Sequence, residues 1–90
     1  MAFVYILKSL KNNRFYIGST QDINKRWLKH KRGEVKSTKN LRPLKIEFYQ
    51  EYPNIKQARY IELKLKKLKR KDYLEKIIRE KEIKIKPLGH

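Results

Sequence analysis

The chain contains no cysteine, so neither a disulfide bond nor a thiolate metal site can stabilise its fold. Its only histidines are His30 and His90, which are too few ligands for a typical zinc site. No apolar run approaches the ~18 residues that a membrane-spanning helix requires. The N-terminus also lacks the basic and apolar segments of a signal peptide. Side-chain packing must therefore hold the protein together, and we expect a soluble cytoplasmic protein with no membrane partner.

Acidic residues are also scarce. The 90 residues include 9 Asp and Glu against 25 Lys and Arg, and the formal net charge is +16 at pH 7. A field of this sign attracts nucleic acid first and an anionic membrane surface second. The hydrophobic content of 39% and the aromatic content of 11% argue against a disordered basic tail and predict one small domain with a single core. We assume a monomer, and charge alone leaves a nuclease and a non-catalytic binding protein open.

Two short apolar segments near the N-terminus favour a β-hairpin. Residues 3–7 and 15–19 are rich in aromatic and β-branched side chains, which are typical of strands. The residues between them are polar and include two adjacent asparagines, which suit a turn. The hairpin would place Tyr5 and Tyr16 on paired strands.

A helix is predicted from Ile23 to Lys31, directly after the hairpin. Its spacing places Arg26 and His30 on or beside the face that turns toward the sheet, where polar groups need a partner or a purpose. One interpretation is structural: Arg26 pairs with Asp22 one turn earlier, and His30 caps a last turn that ends at Gly33. The other interpretation is that both side chains belong to a functional site.

The segment 34–43 shows no sustained period and is predicted to form a surface loop. It is either a solvated linker or a contact surface for a nucleic-acid backbone, because several of its side chains can hydrogen-bond phosphates. The candidate phosphate contacts are Lys36, Ser37, Thr38, Lys39 and Arg42.

The rest of the chain predicts one strand and two helices. Alternating apolar residues favour a strand over 44–50, and helical spacing favours helices over 55–69 and 73–81. Asp72 and Glu75 have the spacing of a capping box for the last helix. Beyond it, a weak alternation through Leu88 carries no motif. The order β-β-α-β-α-α predicts an α+β fold, a small three-stranded antiparallel sheet covered by helices.

The second predicted helix carries an acid and a run of cations. Glu62 lies on or at the edge of the apolar stripe, and Lys66 one turn later can neutralise it. The cations at the end of the helix form either a solvated face or a phosphate contact, and the shortage of nearby acids favours the contact. These candidate contacts are Lys66, Lys67, Lys69, Arg70 and Lys71.

The ordered set Tyr5, Tyr16-Ile17-Gly18, Arg26 and His30 resembles the GIY-YIG endonuclease domain. The chain is most similar to the small stand-alone bacterial members of that superfamily, and the similarity runs in unbroken order over about residues 2–71. The matching segments are Val4 to Leu7, Phe15 to Thr20, Asp22 to His30, Gly33 to Thr38, Arg42-Pro43, Leu44 to Tyr49 and Ala58 to Glu62.

The resemblance implies a metal-dependent endonuclease that hydrolyses phosphodiester bonds in nucleic acid, with DNA expected rather than RNA. Tyr5 would help deprotonate the water and Tyr16 would orient it or share the proton. A tyrosine is a poor base at neutral pH unless nearby cations lower its pKa, and Arg26 and a bound metal ion would act in that direction. Arg26 would clamp the scissile phosphate, and His30 would assist proton transfer or hold the phosphate. Glu62 would hold one Mg²⁺ or Mn²⁺ ion, whose other ligands come from water and phosphate.

Two departures from the family pattern are visible. Phe3 stands where the name-giving first glycine would be, which we expect to be tolerated because the tyrosine carries the chemistry. Many members have an asparagine at the position of Leu74. A non-catalytic DNA- or RNA-binding module on the same fold therefore remains an alternative, although Tyr5, Arg26 and Glu62 are present.

Overall fold

The computed structural model describes residues 1–86, so the end of the weak alternation at Leu88 and the second histidine, His90, lie outside the described residues. Three strands and three helices follow one another in the predicted order. They are β1 (Ala2–Ser9), β2 (Phe15–Thr20), α1 (Ile23–Arg32), β3 (Leu44–Tyr52), α2 (Ile55–Leu68) and α3 (Lys71–Glu80). None of these helices is long and apolar enough to cross a membrane.

The strands form one antiparallel sheet in the order β2-β1-β3, which confirms the predicted α+β class. The central strand, β1, pairs with both neighbours, so β2 lies at an open edge of the sheet. Tyr5 is opposite Gly18 on β2 and opposite Tyr49 on β3. Since directly opposed residues of an antiparallel pair share a face, this register decides which side chains can meet.

Alternation along β1 gives the sheet two different faces. Val4 and Ile6 are fully buried in the hydrophobic core, against which α2 and α3 pack their apolar stripes. Tyr5 and Leu7 point to the opposite face, where Tyr5 meets His30 of α1. The core is completed by Ala2, Ile17, Tyr52, Ala58, Ile61, Leu65, Leu74, Ile77 and Ile83.

The predicted cap of α3 is wrong. The capping box of Asp72 and Glu75 does not form, because the helix begins at Lys71 and its N-cap is Arg70, which makes no side-chain cap bond. Asp72 lies inside the first turn, where its carboxylate accepts hydrogen bonds from the Arg70 guanidinium at 2.7 and 3.3 Å. The burial of Leu74 and Ile77 therefore sets the position of this helix more than its cap does.

The loop over 34–43 contains one short 3-10 turn, Lys39–Leu41, and is tied to the hairpin by a buried serine. Ser9 Oγ donates to the Leu41 carbonyl at 2.6 Å and accepts from the backbone amides of Lys11 and Asn12. This hydroxyl and the bond from the Leu10 amide to the Pro43 carbonyl, at 2.8 Å, together fix the hairpin and the loop after α1 relative to one another.

Candidate active site

Tyr5 reaches the open edge of the sheet because its partner on β2 is a glycine. The Tyr5 ring lies across Gly18, and a Cβ atom added at Gly18 would stand 2.5 Å from the Tyr5 Cζ atom. Any side chain at this position would therefore have to displace the ring. The glycine of the Tyr16-Ile17-Gly18 motif is required here for close approach rather than for a turn.

A buried chain of hydrogen bonds connects Tyr5 to α1 and to the loop behind it. The Tyr5 hydroxyl is 2.9 Å from His30 Nε2, and His30 Nδ1 is 2.7 Å from Thr38 Oγ1. The Thr38 hydroxyl lies 3.5 Å from the Val35 carbonyl, toward which it can donate. His30 and Thr38 are both fully buried, so solvent does not compete for these bonds.

Burial controls the protonation of this chain. It raises the pKa of Tyr5 well above its usual value, and the neighbouring Tyr16 adds to the rise. Burial, with the charge of Arg26, lowers the pKa of His30 to about 4. At neutral pH the phenol therefore keeps its proton and the imidazole is neutral. As predicted, the charge of Arg26 acts to lower the pKa of Tyr5, but burial outweighs it and the pKa rises.

Tyr16 completes an aromatic cluster with these two residues. Its ring centroid is 5.4 Å from that of His30 and 6.4 Å from that of Tyr5, and the Tyr16 and His30 rings meet edge to face. The Lys66 ammonium of α2 lies 5.6 Å from the Tyr16 centroid, within the range of a cation–π contact. Tyr16 therefore contacts His30 of α1 on one face of the sheet and Lys66 of α2, the helix that packs on the opposite face.

Arg26, one turn before His30 on α1, has no carboxylate partner within residues 1–86. The structural pairing with Asp22 is not formed, because the Asp22 carboxylate caps α1 by accepting from the Lys25 amide at 3.0 Å. No salt bridge among residues 1–86 involves Arg26. The Arg26 side chain is half-buried, and its charge acts to lower the pKa values of both Tyr5 and His30.

Glu62 approaches the cluster around the β2 edge. Its Oε1 atom accepts a hydrogen bond from Ser19, which shares the core face with Val4, and Lys66 Nζ is 2.6 Å from Oε2. The predicted pairing of Glu62 with Lys66 is therefore present. The Glu62 side chain is only 16% exposed, and its charge contributes to raising the pKa of Tyr5. The carboxylate and the phenol thus belong to one electrostatic site.

The oxygen set fits a hard divalent cation better than a soft one. Among residues 1–86 there is no cluster of three or more His, Cys, Asp or Glu side chains that could hold a metal. Mg²⁺ commonly uses only one or two carboxylates and keeps several waters, so Glu62 with the adjacent Ser19 hydroxyl fits that requirement. The Lys66 ammonium occupies Oε2 and would have to give way to such an ion.

Residues 1–84 match the family model of the GIY-YIG catalytic domain. The chain belongs to the GIY-YIG family. Two bacterial relatives are similar in sequence: a UPF0213 protein of Listeria welshimeri serovar 6b is 35% identical over 71 residues, which are 78% of each chain. The UPF0213 protein YazA of Bacillus subtilis (strain 168) is 37% identical over 70 residues, covering 77% of this chain and 70% of YazA. No solved structure matches the chain significantly.

Members of the GIY-YIG family are endonucleases that act on nucleic acid and generally depend on a divalent metal ion. Leu74, at the position where many members have asparagine, is buried in the core and offers no polar contact to a substrate.

The loop residues proposed as phosphate contacts divide into two groups. Lys36, Ser37, Lys39 and Arg42 are exposed, and the Arg42 Nε atom donates to the Lys39 carbonyl at 3.0 Å. Thr38 is a correction: it is fully buried, and its hydroxyl bonds to His30 instead of facing a phosphate. Irregular loops carry no periodicity, so burial of a single residue within one leaves no signal in the sequence.

The basic residues of α2 and the following turn are all exposed, and Arg70 is partly neutralised by Asp72.

The sequence interpretation missed Ser19 and the hairpin residues Arg14 and Phe15. Strand alternation already placed Ser19 on the face opposite Tyr5, but only packing of α2 brings Glu62 to it.

Proposed function

We propose that the chain is a single GIY-YIG nuclease domain, a monomeric cytoplasmic endonuclease that hydrolyses phosphodiester bonds in nucleic acid, DNA rather than RNA, with Mg²⁺ or Mn²⁺. The observation that carries the proposal is the buried contact between Tyr5 and His30 beside an arginine that has no carboxylate partner among residues 1–86. A purely structural cluster would neutralise the half-buried cation, whereas a phosphate-binding site keeps it available.

In this mechanism Tyr5 is the base that receives a proton from the attacking water. Because burial keeps the phenol protonated, Tyr5 must pass its own proton on as it accepts the new one. His30 Nε2, at 2.9 Å, is the acceptor, and its neutral imidazole has room for that proton at neutral pH. Tyr16 holds both rings in place and orients the water.

Arg26 has two roles in the proposed reaction. Its planar guanidinium binds the scissile phosphate and stabilises the charge that develops there. When the guanidinium pairs with a phosphate, its charge is partly neutralised and it repels a proton on His30 less. Substrate binding therefore favours proton transfer from Tyr5 to His30.

Glu62 is the residue proposed to hold the metal ion, with Ser19 orienting its carboxylate. A bound divalent ion would supply positive charge for the leaving oxygen and for activation of water. The exposed cations Lys36, Lys39, Arg42, Lys67 and Lys69 are proposed to contact flanking phosphates, together with Ser37, Lys66, Arg70 and Lys71.

The alternative is a nucleic-acid-binding module without catalysis. The observation that favours it is Leu74, whose burial leaves the family's asparagine without a substitute at that position. Cleavage assays separate the two functions.

We expect cleavage of at least one substrate in a panel of branched, nicked, single-stranded and duplex DNA and RNA, in Mg²⁺ or Mn²⁺ but not in excess chelator. Tyr5→Phe keeps the ring and removes the hydroxyl, so it should bind without cleaving. Binding should weaken with salt, with a log–log slope of about −0.7 to −0.9 for each neutralised phosphate. Binding without metal-dependent cleavage on the whole panel would favour the alternative, and a slope near zero would contradict both functions.

A further inference from the structure

A cleft of about 400 Å³ begins where the candidate active site ends. Lys66 connects the two, because it lines the cleft, bonds to Glu62 and lies over the Tyr16 ring. The other walls are the hairpin tip and the turn between α2 and α3. The lining residues are Asn12, Asn13, Arg14, Phe15, Ile17, Leu65, Lys66, Lys69, Arg70, Lys71 and Leu74.

The cleft combines a cationic rim with an apolar floor. Five of its lining side chains are Lys or Arg, and none of its lining side chains is Asp or Glu. Phe15 provides a half-buried aromatic ring on the floor, and the Lys71 ammonium stands 5.7 Å from its centroid. A nucleotide has the complementary chemistry, an anionic phosphate attached to a flat and largely apolar base.

The hairpin tip that forms one wall is held in shape by hydrogen bonds within the tip itself. The Ser9 amide donates to the Arg14 carbonyl at 2.8 Å, and the Arg14 amide donates to Asn12 Oδ1 at 3.0 Å. Asn13 adopts a left-handed conformation with φ 62°, which asparagine tolerates better than most residues. The wall is therefore ordered before a ligand arrives, which lowers the entropic cost of binding.

We propose that this cleft binds the nucleotide that flanks the scissile phosphate, with its base on Phe15 and its phosphate on the rim formed by Arg14, Lys69 and Lys71. The proposal rests on the proposed nuclease function. It adds a binding subsite that would set the path of one strand along the β2 edge.

A second basic cleft provides a matched control. It has a volume of about 510 Å³, and it too combines an aromatic ring with cations. Of its lining residues only Lys67 is among the proposed phosphate contacts, and neither Tyr60 nor Lys64 is. Its lining residues are Tyr60, Lys64, Lys67, Leu68, Ile85 and Lys86. Lys64→Gln removes the same charge from α2 as Lys66→Gln would, and Tyr60→Leu removes an aromatic ring as Phe15→Leu does.

The test measures binding of a cleavable oligonucleotide in Ca²⁺, with one abasic residue placed in turn at each position near the cleaved bond. Phe15→Leu should weaken binding of the intact strand by about 5- to 150-fold, the equivalent of one lost stacking contact. When the abasic residue stands at the position whose base would stack on Phe15, beside the cleaved bond, Phe15→Leu should bind as tightly as the wild type does. Tyr60→Leu should change binding less than twofold at every position, and thermal melts establish that each variant is folded.

Equal effects of Phe15→Leu at every abasic position would overturn the subsite. So would wild-type affinity of Phe15→Leu for the intact strand. Either result leaves the proposed nuclease function standing if Tyr5→Phe still binds without cleaving, so the two failures are distinguishable.

A different observation carries a second inference, on the buried side of His30. A neutral imidazole holds one proton, so His30 can present Nε2 to Tyr5 either as an acceptor or as a donor. The Thr38 hydroxyl can donate to the Val35 carbonyl, which turns its lone pairs toward His30 Nδ1. That arrangement puts the imidazole proton on Nδ1 and leaves Nε2 as the acceptor.

The geometry points to Thr38 as a positioning residue that keeps His30 in the tautomer able to take the Tyr5 proton. The proposal concerns the same reaction as the proposed function, but its main readout is independent of activity. The chain contains only two histidines, so the imidazole nitrogens of His30 and His90 can be assigned separately by ¹⁵N NMR.

In the wild type we expect Nδ1 of His30 to carry the proton and Nε2 to be bare at neutral pH. Thr38→Val keeps the shape and removes the lone pairs, so both tautomers should appear and kcat should fall at least about tenfold, part of the roughly 10²–10⁴-fold that acid–base catalysis contributes. Thr38→Ser should restore the single wild-type tautomer and the wild-type kcat. A protonated Nε2 in the wild type, or an unchanged tautomer in Thr38→Val, would overturn the inference whatever the activity.

Discussion

Replacing Arg26 with alanine is expected to lower kcat by about 10³- to 10⁵-fold, the range that a transition-state arginine contributes to phosphoryl transfer. The loss should not come from unfolding, since no salt bridge among residues 1–86 depends on this side chain. The thermal melt should therefore stay within a few degrees of wild type. Single-turnover cleavage with saturating substrate measures the chemical step directly.

Lys25→Ala is the matched control, because Lys25 precedes Arg26 on α1 and lines the same small pocket of about 170 Å³. It removes one exposed charge, so it should weaken binding slightly and leave kcat unchanged. Arg26→Lys keeps the charge without the planar fork and should recover only part of the rate. If Lys25→Ala and Arg26→Ala lowered kcat equally, the loss would reflect net charge, and Arg26 would not be a phosphate clamp.

The second large effect is expected at Glu62, where glutamine should reduce metal-dependent cleavage by roughly two to four orders of magnitude. A bound metal ion is worth several kcal/mol of transition-state stabilisation, and Glu62→Gln would remove its one charged ligand. A carboxylate that only pairs with Lys66 would be worth ~0 to 1 kcal/mol, even though this pair is closer than most. The cleavage rate constant measured across a Mn²⁺ titration distinguishes a metal ligand from a carboxylate that only pairs with Lys66.

Glu80→Gln is the control, because Glu80 forms an i,i+4 pair with Lys84 at 3.2 Å and lies outside the site. It should cleave at the wild-type rate. Lys66→Ala removes the cation that competes for Oε2, so direct Mn²⁺ binding should become tighter. Ca²⁺ should support binding of nucleic acid without turnover. Wild-type cleavage by Glu62→Gln, or cleavage by the wild type in excess chelator, would end the metal role.

Local periodicity accounted for most of the fold. The hairpin, the strand from Leu44 and the helix from Ile55 begin where the sequence predicted them, within the usual uncertainty at element ends. The miss at α3 has a physical cause: a capping box is a weak local signal, and burial of Leu74 and Ile77 outweighs it. Exposed capping residues shift a helix end by a turn or less, whereas core contacts fix its register.

The candidate site was only partly predictable. Strand pairing and the i,i+4 spacing correctly bring Tyr5, Tyr16 and His30 together, because both depend on neighbours in the sequence or across one hairpin. Ser19 and Thr38 were missed as partners for different reasons: Ser19 meets Glu62 across 43 positions of the chain, and Thr38 lies in an irregular loop, where no periodicity marks the buried residue. Spacing does not reveal which of several exposed-looking hydroxyls becomes buried.

The sequence by itself determined the charge, the order of the strands and helices and the placement of the motif residues on them, because these follow from composition and local period. The tertiary structure decided the protonation of the site. Arg26 alone would lower the pKa of Tyr5, but packing against Gly18 and His30 buries the phenol and raises it. Desolvation depends on everything that surrounds a group in three dimensions, so its magnitude relative to a neighbouring charge appears only once the chain is folded.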